Sequence, residues 1–371
     1  MSAVRHVAFV GNGGIHLAHW ARLLAGSGVR VDLVATKAVP GEWPFGEVLH
    51  AWRSDDASKL RQLAQALRAS RALRRAPGAQ LVHAHYAGKP AWIAARSGLP
   101  MVVSVWGGDV CPTTGEFSRW WIRRLTLSAL ERAGATTVHS QALLDRLLEL
   151  GRPRESLHLI PWGVARCFRP SAPATPWRDR LDLGAGPVVL SLRWTDPIYQ
   201  IDRIAGAFAD LAAEFPAARL VLRDAQTPLS NAGAVRALVE ARGIADRVRW
   251  VGWISRDELA DLYRTCDVGI SYPSTDGYPI SVQEAMSTGL VPIVSDLPGT
   301  EGLVEPDRTG LVVDPSEPGE LREALRLLLA GPDRRTRYRA ALTAFAEGLP
   351  TPEEGRDRLL EIYGRLLARR E

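Results

Sequence analysis

At 371 residues, 46% hydrophobic and 23% charged, the chain can hold two domains with separate cores and does not have the composition of a disordered segment. No apolar run approaches the ~20 residues of a membrane span, and Cys111, Cys167 and Cys266 are too few and scattered for a disulfide framework or zinc knot. The net charge of +5 is carried almost wholly by arginine, Lys37, Lys59 and Lys89 being the only lysines. It favours anionic ligands or an acidic membrane surface, while no heptad-linked basic region, zinc finger or RNA-binding aromatic signature points to nucleic acid.

The first residues lack the basic stretch and small-residue cleavage site of an export signal, so a cytoplasmic protein is expected. Runs rich in Val, Ile and Leu at 6–10, 31–36, 80–86, 101–107, 136–140 and 157–161 read as strands. Between them, 17–25, 58–75, 119–132 and 141–150 read as helices. In the third of these, Ile122, Leu125 and Ala129 share one face. Pro170, Pro173 and Pro176 then break the pattern across 163–182, which reads as a hinge. A second strand series follows at 188–194, 219–224, 248–253, 268–273, 292–296 and 311–314. A last amphipathic helix carries Leu359, Ile362, Tyr363 and Leu366 as its stripe. Strands alternating with helices predict an α/β protein of two Rossmann-like, doubly wound parallel-sheet domains facing across a cleft. The predicted domains are residues 1–165 and 166–350, with helix 351–371 packing back on the first.

Ligands of open parallel sheets sit at the carboxyl ends of the strands. After 268–273 come Asp276 and Gly277 in a loop, then Glu284 where a helix begins. Gly277 allows close backbone approach, and a helix start offers N–H groups to an anion. Two carboxylates there suit a ligand with hydroxyls and phosphates, such as a nucleotide sugar. Each also has a simpler use, Glu284 in complementing the helix dipole and Asp276 in shaping a turn. Near the amino terminus, residues 11–14 form a glycine loop, but His16 stands where a dinucleotide fingerprint needs its third glycine. His83 and His85 flank a strand end, where one is expected to pack inward and the other outward.

The run DGYPISVQEAMSTG at 276–289, with VPIVSD at 291–296 and TGLVVDP at 309–315, resembles the diagnostic region of the retaining glycosyltransferases of family 4, whose motif reads EGFGLPxxEAMAxG. IPWGV at 160–164, FRP at 168–170, VRWVG at 248–252 and LADLYRTCD at 259–267 are similar to further family segments in the same order. The resemblance implies the GT-B fold, in a branch with Asp in place of the first Glu. It further implies transfer of a sugar from a nucleotide-diphosphate donor to an acceptor hydroxyl with retention of configuration. Neither a cofactor nor a metal is expected, the nucleotide sugar being a co-substrate, and no Asp-x-Asp pair occurs in the chain.

Carried over residue by residue, the resemblance gives Glu284 the donor ribose, Asp276 the sugar hydroxyls and Arg193 the pyrophosphate. These three are the expected catalytic residues. The backbone of Gly277, Tyr278 and Ile280 approaches sugar or phosphate, Trp253 edges the base pocket beside Trp250, and Gly13 and Gly14 belong to the donor-side loop. His16, His85 and Asp109 fall on the acceptor side. Two departures stand out. No lysine follows Arg193, which leaves helix starts and Arg193, with help from Arg223, to hold the diphosphate. Trp106 also replaces a family histidine. The acceptor stays open between a glycan, a lipid carrier and a small metabolite.

Two other readings use the same residues. One is a nucleotide-sugar epimerase of the same fold; a phosphorylase is disfavoured because no lysine after Lys89 could carry its pyridoxal. The other is a non-catalytic peripheral membrane or interaction protein. For it speak FSRWWIRRL at 117–125 and the cluster Arg68, Arg71, Arg74 and Arg75, which suit contact with anionic lipid, although each is also an ordinary solvated face.

Overall fold

The computed structural model describes residues 4–12, 14–37, 42–51, 59–76, 78–110, 117, 119–224, 230–276, 278–297 and 299–369. They divide into two compact units, Met1–Gly163 with Pro350–Glu371, and Val164–Leu349.

The first unit is built on β1 (His6–Gly11), β2 (Arg30–Ala35), β3 (Val48–Ala51), β4 (Leu81–His85), β5 (Met101–Ser104), β6 (Ala135–Val138) and β7 (Leu157–Leu159). Among the described residues these form one parallel sheet in the order β3-β2-β1-β4-β5-β6-β7. All six residues of β1 and all five of β4 are buried, as strands covered on both faces must be. The chain leaves β1 in one direction and returns to β4 in the other. Right-handed crossovers therefore put helix Ile15–Ala25 on one face and helices Lys59–Arg74, Lys89–Ala94 and Trp120–Glu131 on the opposite one. The edge strand β3 was not expected. It is short and half exposed, so it lacks the apolar run by which the other strands are recognised.

Helix Pro352–Ala368 belongs to this unit. Thr351 and Glu354 close a capping box at its start. From its buried side, Tyr363 Oη meets His83 Nδ1 at 2.5 Å. His83 Nε2 meets Ser104 Oγ at 2.8 Å, and Ser104 meets Thr137 Oγ1 at 2.7 Å. One buried polar chain thus ties the last helix to β4, β5 and β6. The helix approaches closely at Gly163, whose φ is +76° and where a Cβ would lie 2.4 Å from the Thr351 carbonyl carbon.

The second unit holds β8 (Val188–Trp194), β9 (Arg219–Arg223), β10 (Val248–Val251), β11 (Val268–Ser271), β12 (Val291–Ser295) and β13 (Leu311–Val313). They run parallel in the order β10-β9-β8-β11-β12-β13. Val188, Leu190, Ile270 and Ile293 are wholly buried in its core. The winding direction reverses between β8 and β11, which marks their carboxyl ends as the place for a ligand. Cys167 and Cys266 are free thiols, the latter buried, and Cys111 lies outside the described residues. Among the described residues no helix is long and apolar enough to cross a membrane.

Tyr363→Phe removes one hydroxyl and strands the buried Nδ1 of His83, at a cost of about 1–3 kcal/mol. Urea unfolding measures this directly, and an unchanged midpoint would show that the polar chain contributes nothing.

Candidate functional site

Arg193 lies near the end of β8, beyond the core residues Val188 to Leu192. Its Nη1 is 2.8 Å from Asp276 Oδ2 and donates to Ser281 Oγ at 3.3 Å. The guanidinium lies over the Tyr199 ring, 4.3 Å from its centroid. Burial works against this charge, but Asp276 and Tyr199 more than offset it and hold its pKa above the usual arginine value. One side chain thereby joins the end of β8, the loop after β11 and the first turn of helix Ile280–Ser287.

That helix starts at Pro279 without a side-chain cap. The Ile280 N–H donates to the Tyr278 carbonyl at 3.0 Å, so it is engaged within the loop. The Tyr278 hydroxyl accepts from Gln283 Nε2 at 2.9 Å. Glu284 lies one turn into the helix and is buried. Its Oε1 accepts from Arg256 Nη2 at 2.7 Å. Burial raises its pKa and the guanidinium partly counters the rise. Gly277 lies outside the described residues.

Arg223, at the end of the neighbouring β9, was only an auxiliary in the sequence reading. It is 6% exposed. Its guanidinium sits 3.9 Å over the Trp194 ring, and Trp194 in turn meets Trp253 at 4.8 Å between centroids. Trp253 is 67% exposed, so the stack runs from a buried cation to an open aromatic surface. Arg223 makes no ion pair among the described residues, and its Nε has no hydrogen-bond partner there. Burial lowers its pKa, Tyr263 and the carboxylate of Glu284 counter this in part, and the charge of Arg193 adds to it. Tyr263, on helix Arg256–Thr265, lies wholly buried within the electrostatic reach of Arg193, Arg223, Arg256 and Glu284; it falls in the family-like segment LADLYRTCD at 259–267, which does not single it out. Trp250 is half buried with Arg236 over its ring.

In the first unit Gly14 donates its N–H to Asn12 Oδ1 at 3.0 Å and caps helix Ile15–Ala25; Gly13 lies outside the described residues. His16 is exposed, with its ring against Trp106 and Trp162. His83 and His85 do not divide inward and outward. Both are buried and their rings stack at 4.3 Å, because residues two apart on a strand share a face. Asp109 is buried too. It accepts from the N–H groups of Ala87 at 2.7 Å, Trp106 at 3.1 Å and Gly107 at 2.9 Å. It thereby ties down the turn in which Tyr86 holds a φ of +101°, a costly conformation for a residue with a Cβ. Among the described residues no cluster of three or more His, Cys, Asp or Glu could hold a metal ion.

Burial keeps three histidines of this unit neutral. His83 is pushed down to about 3, His139 to about 4 and His85 well below the usual value. Burial pushes Asp109 the other way, up to about 6, against the pull of its backbone bonds. A histidine with a depressed folded pKa contributes stability above its unfolded pKa of 6.5 and loses it as pH falls toward the folded value. Asp109, protonated more readily when folded, opposes this below about pH 6. His158, lowered as well, acts with the three histidines, and Glu284, raised by burial, acts with Asp109. The histidines outnumber these carboxylates, which predicts net destabilisation between about pH 6.5 and pH 4, with protons taken up on unfolding. Denaturation midpoints over that range measure it, and His139→Gln should flatten the slope. A wild-type midpoint that does not move would contradict the assignment.

Residues 13–166 match the family described as Glycosyltransferase Family 4, and residues 177–343 the one described as Glycosyl transferases group 1. The chain is 27% identical over 312 residues to the D-inositol 3-phosphate glycosyltransferase of Xylanimonas cellulosilytica, covering 78% of this chain and 73% of that one. It is 26% identical over 325 residues to the alpha-D-kanosaminyltransferase of Streptomyces kanamyceticus, covering 80% of each. Among solved structures, the fold is similar to that of a sucrose-phosphate synthase from Thermosynechococcus elongatus, with a TM-score of 0.81 at 22% identity over 98% of this chain and 99% of that one. An Anabaena protein solved in complex with UDP and glucose is similar too, with a TM-score of 0.78 at 16% identity over 97% and 100%.

Proposed function

The chain belongs to glycosyltransferase family 4 and has the GT-B fold, and from that premise we propose that it moves a sugar from a nucleoside-diphosphate donor to an acceptor hydroxyl with retention of configuration and without metal or cofactor. The observation that carries the donor assignment is Arg223. A guanidinium buried without an ion pair among the described residues is costly, Glu284 offsets that cost only in part, and a diphosphate is the anion that would relieve it. Arg193 stands beside it on the neighbouring strand, and its five N–H donors outnumber those used by Asp276 and Ser281. The two guanidiniums replace the absent lysine and meet the charge that develops on the departing phosphate.

In this reading the second carboxylate oxygen of Glu284 accepts from the donor ribose, while Arg256 holds the first in place. Trp253 offers its exposed face to the base. Asp276 positions the sugar hydroxyls, and the Tyr278 backbone lies against them. The departing phosphate oxygen takes the acceptor proton on the front face, so no separate base is needed. On the first unit, exposed His16 contacts the acceptor, whereas buried His85 and Asp109 act from beneath by shaping the loops. The name of one relative, a D-inositol 3-phosphate glycosyltransferase, favours a hydroxylated ring as acceptor.

A thermal-shift panel with UDP, GDP, dTDP and ADP in EDTA tests the donor site. A nucleotide at a hundred times its Kd adds about 2.7 kcal/mol of stability. One nucleotide should shift the wild type, and Glu284→Ala and Arg223→Gln should each lose most of that shift. Silence from all four, or a shift that needs added magnesium, would contradict the proposal.

A further inference from the structure

Six of the large apolar side chains that stand exposed lie on two helices of the first unit. Leu60, Leu63 and Leu67 are on helix Lys59–Arg74, and Trp120, Trp121 and Leu125 on helix Trp120–Glu131. Leu60 is 80% exposed and Trp120 is 75% exposed. The two helices lie on the same face of the sheet, each packed against helix Lys89–Ala94.

On the first helix the exposed leucines recur at i, i+3 and i+7, a stripe separate from the buried one of Ala66, Ala69 and Leu73. Arg61, Arg68, Arg71 and Arg74 are exposed among them, and this helix contains no acidic residue. The second helix adds exposed Arg123 and Arg124 beside its tryptophans, with Glu131 at the far end as its only acid. None of these six arginines makes an ion pair among the described residues. Surface arginines of the second unit behave differently: Arg322 and Arg326 both pair with Glu323.

We propose that this face docks on a lipid bilayer containing anionic lipids, with leucines and tryptophans entering the headgroup region and arginines on the lipid phosphates. Solvent leaves both the exposed apolar stripe and the uncompensated charge without a partner, and an anionic bilayer serves both. The arginines supply long-range attraction, which salt screens. Tryptophans supply the short-range anchoring, which salt does not weaken. The inference stands apart from the donor site, since none of these side chains belongs to it.

Co-sedimentation of the full chain with vesicles of phosphatidylcholine, alone or mixed with phosphatidylglycerol, reads the surface directly. Binding should require phosphatidylglycerol and fall with added salt. Arg68→Gln with Arg71→Gln should weaken it about 25-fold, about 5-fold for each lost charge. Trp120→Ser with Trp121→Ser should weaken binding but leave its salt dependence. All these positions are exposed, so unchanged melting temperatures and nucleotide binding establish that the variants fold. Binding to neither vesicle, equal binding to both, or wild-type binding by the charge variant would each overturn the proposal. So would elution as a dimer that the same substitutions convert to monomer, since the face would then belong to a second copy.

Discussion

A buried guanidinium without an ion pair is expensive, and the carboxyl edge of the second sheet is arranged around one, which the carboxylate of Glu284 offsets only in part. Arg223 gives up hydration without gaining an ion pair among the described residues, and its nearest compensation is the π-face of Trp194. The neighbouring Arg193 is differently placed, since Asp276 neutralises it from the loop after β11. The parallel sheet makes both possible. Its strands end together at one edge, and the reversal between β8 and β11 opens that edge to a ligand. In the proposed function, charge held in readiness for a diphosphate stabilises the bound state more than the empty one.

The first unit answers the opposite problem. Its sheet edge carries rings and neutral groups rather than charge. His83, His85 and His139 are kept uncharged by burial, and Asp109 spends its carboxylate on three backbone amides. The polar chain from Tyr363 to Thr137 passes beneath that edge and makes the last helix part of the same body. Paired guanidiniums at one edge and neutral histidines at the other, among the described residues, accord with the donor and acceptor roles proposed for the two units.

Much of the fold could be read from the sequence because buried parallel strands are continuous apolar runs. Such runs marked β1, β8 and β11 to within a residue or two. The edge strand β3 escaped because half-exposed residues carry no such run. The pairing of His83 with His85 was misjudged, since strand periodicity puts residues two apart on one side. At the site, Arg193, Asp276 and Glu284 stand in motifs that a linear reading detects. Arg223 does not, and Tyr263 lies in such a segment without being singled out by it, because the importance of both lies in burial and in neighbours from other strands and helices. Asp109 was visible as a residue, but its fastening to Ala87 depends on two strand ends meeting.

The account turns on whether Arg223 and Arg193 receive a diphosphate. The most direct measurement is a crystal structure with the nucleoside diphosphate that the chain binds in solution. The account predicts diphosphate oxygens within hydrogen-bond reach of both guanidiniums and the ribose hydroxyls on Glu284. A diphosphate bound elsewhere, with Arg223 still lacking an anion, would contradict it.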